Sequence, residues 1–474
     1  VNIGRAFLVA SSLALTALPL ARLYAKPDKA NDLYLESCAS CHGSNFEGGL
    51  GGNLADGLWK HGDSDQAIAR VISEGLPDLG MPAFEKTLSA EQIRSLVVFL
   101  REKEKSTKTE SSPPPQPKEG GVVKSLEQDY KVETVIDGGL KTPWSLAFLP
   151  DGRRFVTERS GALRVIDADG SILPEAVKGT PQVIELGQGG MLDVAIPPDY
   201  AKDGWIYLAF ADPLPGGEKR AMLKIVRGRI RDHTWTDEEV IFQAAPEFYT
   251  PAGQHFGTRM VFDGGYFYFI VGERGGNMQA QDNSRPNGKI YRVFPDGSIP
   301  KDNPFVADQK AIPGIWSYGH RNPQGLAIDP RDHAIYSTEH GPRGGDEFNL
   351  IRKGANYGWP VICYGMNYDG SPLNGGLTAK EGMEQPLLHW TPSIAACGLT
   401  CYTGDKFPNW KYDFFAGGLR GELHRIRVQD GKVVADEILL SGLGRIRDVR
   451  TGPDGFLYIV LNQPDRIVRL VPAE

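Results

Sequence analysis

One turn-and-strand signature recurs along most of this chain and restricts its fold more than any other feature. Phe148-Leu149-Pro150-Asp151-Gly152, Ile196-Pro197-Pro198-Asp199, Phe262-Asp263-Gly264-Gly265, Ile328-Asp329-Pro330-Arg331 and Thr451-Gly452-Pro453-Asp454-Gly455 are five copies. Each precedes an alternating aromatic and β-branched run, such as Trp205-Ile206-Tyr207-Leu208 or Phe456-Leu457-Tyr458-Ile459. Pro, Asp and Gly supply the backbone angles that reverse a chain between two strands. A less regular copy surrounds residues 407–415. Six copies spaced by roughly 45 to 80 residues predict an all-β propeller with six blades. A sandwich rarely repeats one turn signature in this way. The strand at residues 131–136 is expected to complete the last blade and close the ring.

Ahead of these repeats stands Cys38-Ala39-Ser40-Cys41-His42, the attachment signature of a c-type haem. The thiols of Cys38 and Cys41 add across the haem vinyl groups, and His42 supplies one axial ligand. Met81, in Leu79-Gly80-Met81-Pro82, is the expected second axial ligand, because Gly80 and Pro82 suit a loop passing close over the ring. His61 is the other candidate. A zinc half-site would want more Cys or His nearby, and a redox pair a thioredoxin-like pattern. Residues 65–74 and 89–103 have helical apolar spacing, with Ser89 an apt N-cap. A small all-α cytochrome c domain is therefore expected over residues 30–104. Residues 105–124 contain Ser111-Ser112-Pro113-Pro114-Pro115-Gln116-Pro117 and read as a semi-extended linker. The propeller domain then occupies residues 125–474.

A length of 474 residues agrees with two unequal domains. The net charge of -7, with no long basic run, argues against a nucleic-acid partner. Arg5 and the apolar run at residues 6–20 read as a secretory signal peptide over residues 1–25. That run is short for a membrane span, which needs about 20 apolar residues, so no stable span is expected. Export agrees with the haem motif and points to the periplasm.

Several unusual polar strings follow the blade strands. They are Gly253-Gln254-His255-Phe256-Gly257-Thr258-Arg259, Val271-Gly272-Glu273-Arg274-Gly275, Gly319-His320-Arg321-Asn322-Pro323-Gln324-Gly325, Glu339-His340-Gly341-Pro342-Arg343-Gly344-Gly345-Asp346-Glu347, Asn356-Tyr357-Gly358-Trp359-Pro360 and Arg445-Ile446-Arg447-Asp448. With these motifs in matching order, the body from about residue 130 onward resembles the soluble pyrroloquinoline quinone (PQQ) dependent aldose sugar dehydrogenases. The resemblance implies PQQ and Ca²⁺ as cofactors beside the haem c. PQQ is a flat quinone with three carboxylates, and Arg420, Arg445 and Arg447 match the family's carboxylate-binding positions. A planar guanidinium that stays charged suits that task. Arg445 and Arg447 alternate in one strand and share a side of it. Members of the family often carry lysine at position 420 and aspartate at position 273.

The same resemblance assigns the chemistry. His255 matches the general base and Glu273 the acid that orients it. Arg321, next to Asn322 at the cofactor, matches a residue that stabilises developing charge. Gln188, in Gly187-Gln188-Gly189-Gly190, matches a residue near the catalytic centre. The catalytic calcium maps to the backbone carbonyls of Gly341 and Pro342. A structural calcium maps to the Glu347 side chain and the Tyr357 carbonyl, oxygen donors that suit a hard cation. Trp390 is placed in the cofactor pocket wall.

The implied activity is oxidation of an aldose at C1 to a lactone, with hydride passing to PQQ and electrons onward to the haem. A respiratory acceptor, such as another cytochrome or a quinone-linked carrier, would then receive them. A linker of about 17 residues spans up to roughly 50 Å and is expected to let the haem swing over the propeller face. The rival readings are a sorbosone or other aldehyde dehydrogenase, a calcium-dependent lactonase, and a noncatalytic binding propeller. Paired Arg445 and Arg447 speak against the lactonase. Any disulfide among Cys363, Cys397 and Cys401 leaves one thiol over, and the sequence does not choose the pair.

Overall fold

The computed structural model describes residues 28–118 and 120–473, so the signal segment read at residues 1–25 lies outside it. Four helices open the described chain: α1 (Lys29–Ser37), α2 (Ala39–His42), α3 (Asp65–Glu74) and α4 (Ala90–Ser111). Side-chain oxygens start three of them. Asp28 accepts from the amides of Ala30 and Asn31, Ser64 from Ala67, and Ser89 with Gln92 forms a reciprocal capping box. Helices α1 and α4 pack together around Tyr34, Phe46 and Phe99, whose rings lie 4.2 to 6.1 Å apart.

Helix α4 continues to Ser111, into the stretch read as linker. Charge pairing explains the difference, because Arg101–Glu104 at 2.7 Å and Glu104–Lys108 at 2.5 Å sit at helical spacing. The Trp59 indole also donates to Glu104 at 3.0 Å and ties this turn down. The proline-rich remainder does not hang free. Its Pro115 carbonyl accepts from the Ser441 amide at 2.7 Å.

The body is a ring of six antiparallel sheets. Five are continuous in sequence and begin with the strands Pro143–Phe148, Met191–Ala195, Met260–Asp263, Pro323–Ile328 and Ala396–Cys401. The sixth begins with Arg445–Thr451 and is completed by Tyr130–Asp137, which pairs with Arg466–Pro472. The ring therefore closes with the strand that the sequence offered for that purpose. Each recurrent turn links the first and second strands of one blade. The irregular fifth copy replaces Asp-Gly with a 3₁₀ turn at Pro408–Trp410, where Trp410 stacks on Phe407 at 4.2 Å. Among the described residues no helix is long and apolar enough to cross a membrane.

Charged side chains plug the centre of the ring. Arg259 bridges Asp193 at 3.0 Å and Asp448 at 3.1 Å, and Arg450 reaches the same two carboxylates at 3.1 and 2.9 Å. Arg259, Asp193 and Asp448 have no solvent exposure. These four residues join three blades. Removing one partner of a buried charge network strands the others. Asp193→Ala should therefore lower unfolding free energy by about 3–5 kcal/mol, read from chemical denaturation.

Candidate active site

Antiparallel connectivity puts two classes of loop at one end of the ring: those leading into each first strand and those joining second to third strands. The first class carries Gln188, His255, Arg321 and Asn322, with Arg445 at a strand start. The second class carries Glu273, Gly341, Pro342 and Arg420. The topology thus collects residues from position 188 to position 445 onto one face.

His255 is held from both sides. Its Nδ1 meets the Glu273 carboxylate, and its backbone amide donates to Gln188 Oε1 at 2.8 Å. Glu273 is buried and accepts from the Asn277 amide, and its own amide donates to the Arg321 carbonyl at 2.9 Å. His255, Thr258 and Arg274 all take positive φ (56°, 95° and 58°). Non-glycine residues in this region cost energy and persist only where neighbours hold them. Burial presses the His255 pKa down; the Glu273 hydrogen bond opposes this and the Arg321 charge assists it. The imidazole is therefore neutral near neutral pH. With Nδ1–H turned to Glu273, Nε2 is free to accept a proton.

A cationic bowl surrounds this pair. His340, to which the sequence reading gave no role, is half-buried, with its Nε2 out of reach of solvent. Its pKa falls well below the ordinary value through burial and then through the charges of Arg321, Arg447, His255 and Arg445. Arg321 and His340 line one cavity, and Arg445, Arg447 and the imidazole at 255 lie near enough for their charges to act on His340. His340 Nε2, Arg321 Nε and Arg447 Nε are buried with no hydrogen-bond partner among the described residues. Arg447 donates to Gln324 Oε1 at 3.0 Å and lies 3.6 Å from Cys397 Sγ. Burial, and the nearby Arg445 and Arg259 charges, lower its pKa. Arg420 and Arg445 are exposed on the same face. Spare cationic donors in this number fit a multiply charged anion such as the tricarboxylate quinone.

A small cavity opens off the bowl, with Arg321 and His340 in its wall. Glu339, Gly341, Glu347 and Tyr357 line it with them, around a volume of about 10 Å³, room for one small ion or water. Burial, followed by the neighbouring Glu339 carboxylate, pushes Glu347 up to about 8. Two crowded carboxylates and the Tyr357 backbone form a donor set of hard oxygens that fits a calcium ion. Among the described residues no group of three or more His, Cys, Asp or Glu side chains is arranged for a metal, so backbone oxygens must complete such a site. Asp346, buried, accepts from the Gly341 amide at 2.9 Å and fixes the Gly341-Pro342 turn. The Gly341 carbonyl already accepts from Arg321 Nη1 at 2.7 Å, which leaves one lone pair for a cation.

One sequence reading ends elsewhere. Trp390 packs in the core between the fourth and fifth blades and donates to Asp436 at 3.0 Å, rather than lining the bowl. Cys363, Cys397 and Cys401 are buried free thiols. In the helical domain, Cys38 and Cys41 are partly exposed free thiols, and His42 Nδ1 is 2.8 Å from the Gly52 carbonyl. That bond occupies Nδ1 and leaves Nε2 for iron, the tautomer a haem-ligating histidine needs. Leu50, Leu58 and Leu79 are 92%, 73% and 70% exposed in the same domain as the partly buried Met81. Exposed apolar side chains in this number fit a porphyrin that covers them.

The Glucose / Sorbosone dehydrogenase family matches residues 140–469. The chain belongs to that family. It is a sugar dehydrogenase with an N-terminal cytochrome c domain, residues 25–100 matching the cytochrome c oxidase, cbb3-type, subunit III family. Among relatives, aldose sugar dehydrogenase YliI of Escherichia coli is 42% identical over 338 residues, 69% of this chain and 89% of its own. Quinoprotein glucose dehydrogenase B of Acinetobacter calcoaceticus is 31% identical over 53% of this chain and 56% of its own. The PQQ-bound aldose sugar dehydrogenase of Streptomyces coelicolor superposes with a TM-score of 0.59 at 30% identity, over 76% of this chain and 99% of that one. These glucose/sorbosone dehydrogenase relatives cover the propeller. A separate relative, the FixP cytochrome oxidase subunit of Bradyrhizobium diazoefficiens, is 31% identical over 90 residues.

Proposed function

We propose that this chain is a periplasmic PQQ-dependent aldose dehydrogenase that passes electrons from the sugar to its own haem c. The observation that carries this reading is the His255–Glu273 pair at the same end of the ring as two arginines, Arg321 held by the Gly341 and His340 carbonyls and Arg447 with a buried, unpartnered Nε. Arg420, Arg445 and Arg447 would hold the PQQ carboxylates, and Glu347 with the Tyr357 carbonyl would hold calcium. Bound there, PQQ supplies a hydride acceptor and calcium a Lewis acid that polarises it. His255 Nε2 takes the proton of the C1 hydroxyl. Glu273 keeps the imidazole in the Nδ1–H form and steadies the charge it gains. Arg321, held by Gly341 and His340 carbonyls at 2.7 and 3.1 Å, aims its remaining donors at negative charge developing in the bowl. The lactone then hydrolyses to an aldonic acid.

Loading the haem-containing protein with PQQ and Ca²⁺ and adding aldoses tests the whole reading through haem reduction. Absence of reduction by every aldose, with sorbosone or simple aldehydes active instead, would move the substrate class. The haem half has its own test. Met81→Ala should abolish the long-wavelength methionine-to-iron band of the oxidised protein. An unchanged band would place the second axial ligand elsewhere, His61 being the alternative.

A further inference from the structure

The two segments that build the cation pocket, residues 341–347 and 357–366, are laced together. The Arg343 amide donates to the Met366 carbonyl at 3.0 Å, and the Met366 amide returns a bond at 2.9 Å. Gly345 lies so close to Tyr364 and Gly365 that a Cβ there would sit 2.7 Å from the Gly365 amide nitrogen. The outer side of this pair faces the helical domain, not solvent. Arg94 of α4 donates through Nε to the Tyr364 carbonyl at 3.0 Å while its Nη1 holds Asp65 at 2.7 Å. Arg343 forms paired bonds to Glu102 (2.9 and 2.6 Å) and to Asp28 (3.0 and 2.9 Å). Met366 is fully buried within the core formed by Tyr34, Phe46, Val98 and Phe99. Val98 lies against Gly344.

Loops rarely hold a metal geometry by themselves, and what locks them sets affinity. Here the locking groups belong to the other domain. We infer that the cytochrome domain is the outer wall of the cation pocket, and that Arg343 and Arg94 are positioning residues through which its docking controls cation affinity. The inference rests on the calcium reading of Glu347 and Tyr357. It replaces a swinging haem with a docked one, since Lys29–Asp369 and Lys105–Glu422, both at 2.8 Å, extend the same contact. Linkage makes the effect reciprocal: whatever the docked domain adds to cation binding, the bound cation returns to docking.

The test uses the full-length, haem-loaded chain without PQQ. Calcium titration by calorimetry is combined with hydrogen exchange across residues 341–366 in the absence of metal. Arg343→Gln should weaken calcium binding about tenfold, within the usual 5- to 150-fold range of coupling between sites. It should also speed exchange at the Met366 and Arg343 amides. Arg343→Lys should recover much of the affinity by keeping the charge. Glu102→Gln should act in the same direction, and adding it to Arg343→Gln should cost less than the sum of the two. Glu133→Gln, which breaks the surface pair with Arg469, removes the same charge elsewhere and should change neither readout. Calcium binding indifferent to Arg343→Gln, with exchange also unmoved, overturns the coupling. Failure of the wild-type chain to bind calcium overturns the calcium reading, and the coupling with it. An intact haem spectrum and unchanged circular dichroism in each variant separate these outcomes from misfolding.

Discussion

His255→Ala lowers turnover of the cofactor-loaded enzyme by about 10²–10⁴-fold, the range contributed by a positioned general base. Affinity for PQQ stays within a few-fold, because the cationic bowl is intact. His255→Asn gives the same loss, and asparagine tolerates the left-handed backbone at this position more readily. The pH profile carries a second, independent signature. Burial and Arg321 hold the His255 pKa below its ordinary value. Protonation below that pKa removes the base, so kcat/KM climbs with pH along an acid limb and levels off before neutrality. In Glu273→Gln the carboxylate that raised the imidazole pKa is gone, and the acid limb moves to still lower pH. Near-normal turnover in His255→Ala, or a wild-type acid limb centred above neutrality, would remove the base from the mechanism.

The propeller was legible because its determinants are local. Period-two strands such as residues 205–208 and their Asp-Gly or Pro-Asp turns carry both the element and its boundary in a few residues. The closing strand was expected at residues 131–136 and spans Tyr130–Asp137. Helix α4 outran its apolar pattern because Glu104, Arg101 and Lys108 extend it by charge pairing, which composition reads as linker. His340 left no signal, since a single histidine between glutamate and glycine means nothing until topology brings three arginines and the His255 imidazole near it. The docking of the two domains was equally hidden. Its bonds join residues 28–105 to residues 343–422 through isolated charges, and no periodicity relates them. The irregular fifth blade lies between these cases, with Trp410 and Phe407 standing where the other turns use small polar residues.

Replacing Arg445 and Arg447 together by glutamine raises the PQQ dissociation constant by about 10²-fold or more. Each charge-assisted hydrogen bond is worth about 1.5–3 kcal/mol, and every 1.4 kcal/mol is tenfold. The two residues should not contribute equally. Arg447 is half-buried, with an unpartnered Nε and neighbours that already crowd it with positive charge, so an arriving carboxylate relieves repulsion as well as forming bonds. Arg445 is exposed, and its share is screened by water and salt. Arg447→Gln alone should therefore give most of the loss, with little dependence on ionic strength. Arg445→Gln should give a smaller loss that fades as salt is added. Once either variant is saturated with cofactor, turnover should return close to the wild-type value, because His255 and Glu273 are untouched. Fluorescence titration of the PQQ-free protein measures the affinities directly. A double variant that titrates like the wild type would take these guanidinium groups out of the cofactor site and leave the bowl around His340 to serve some other anion.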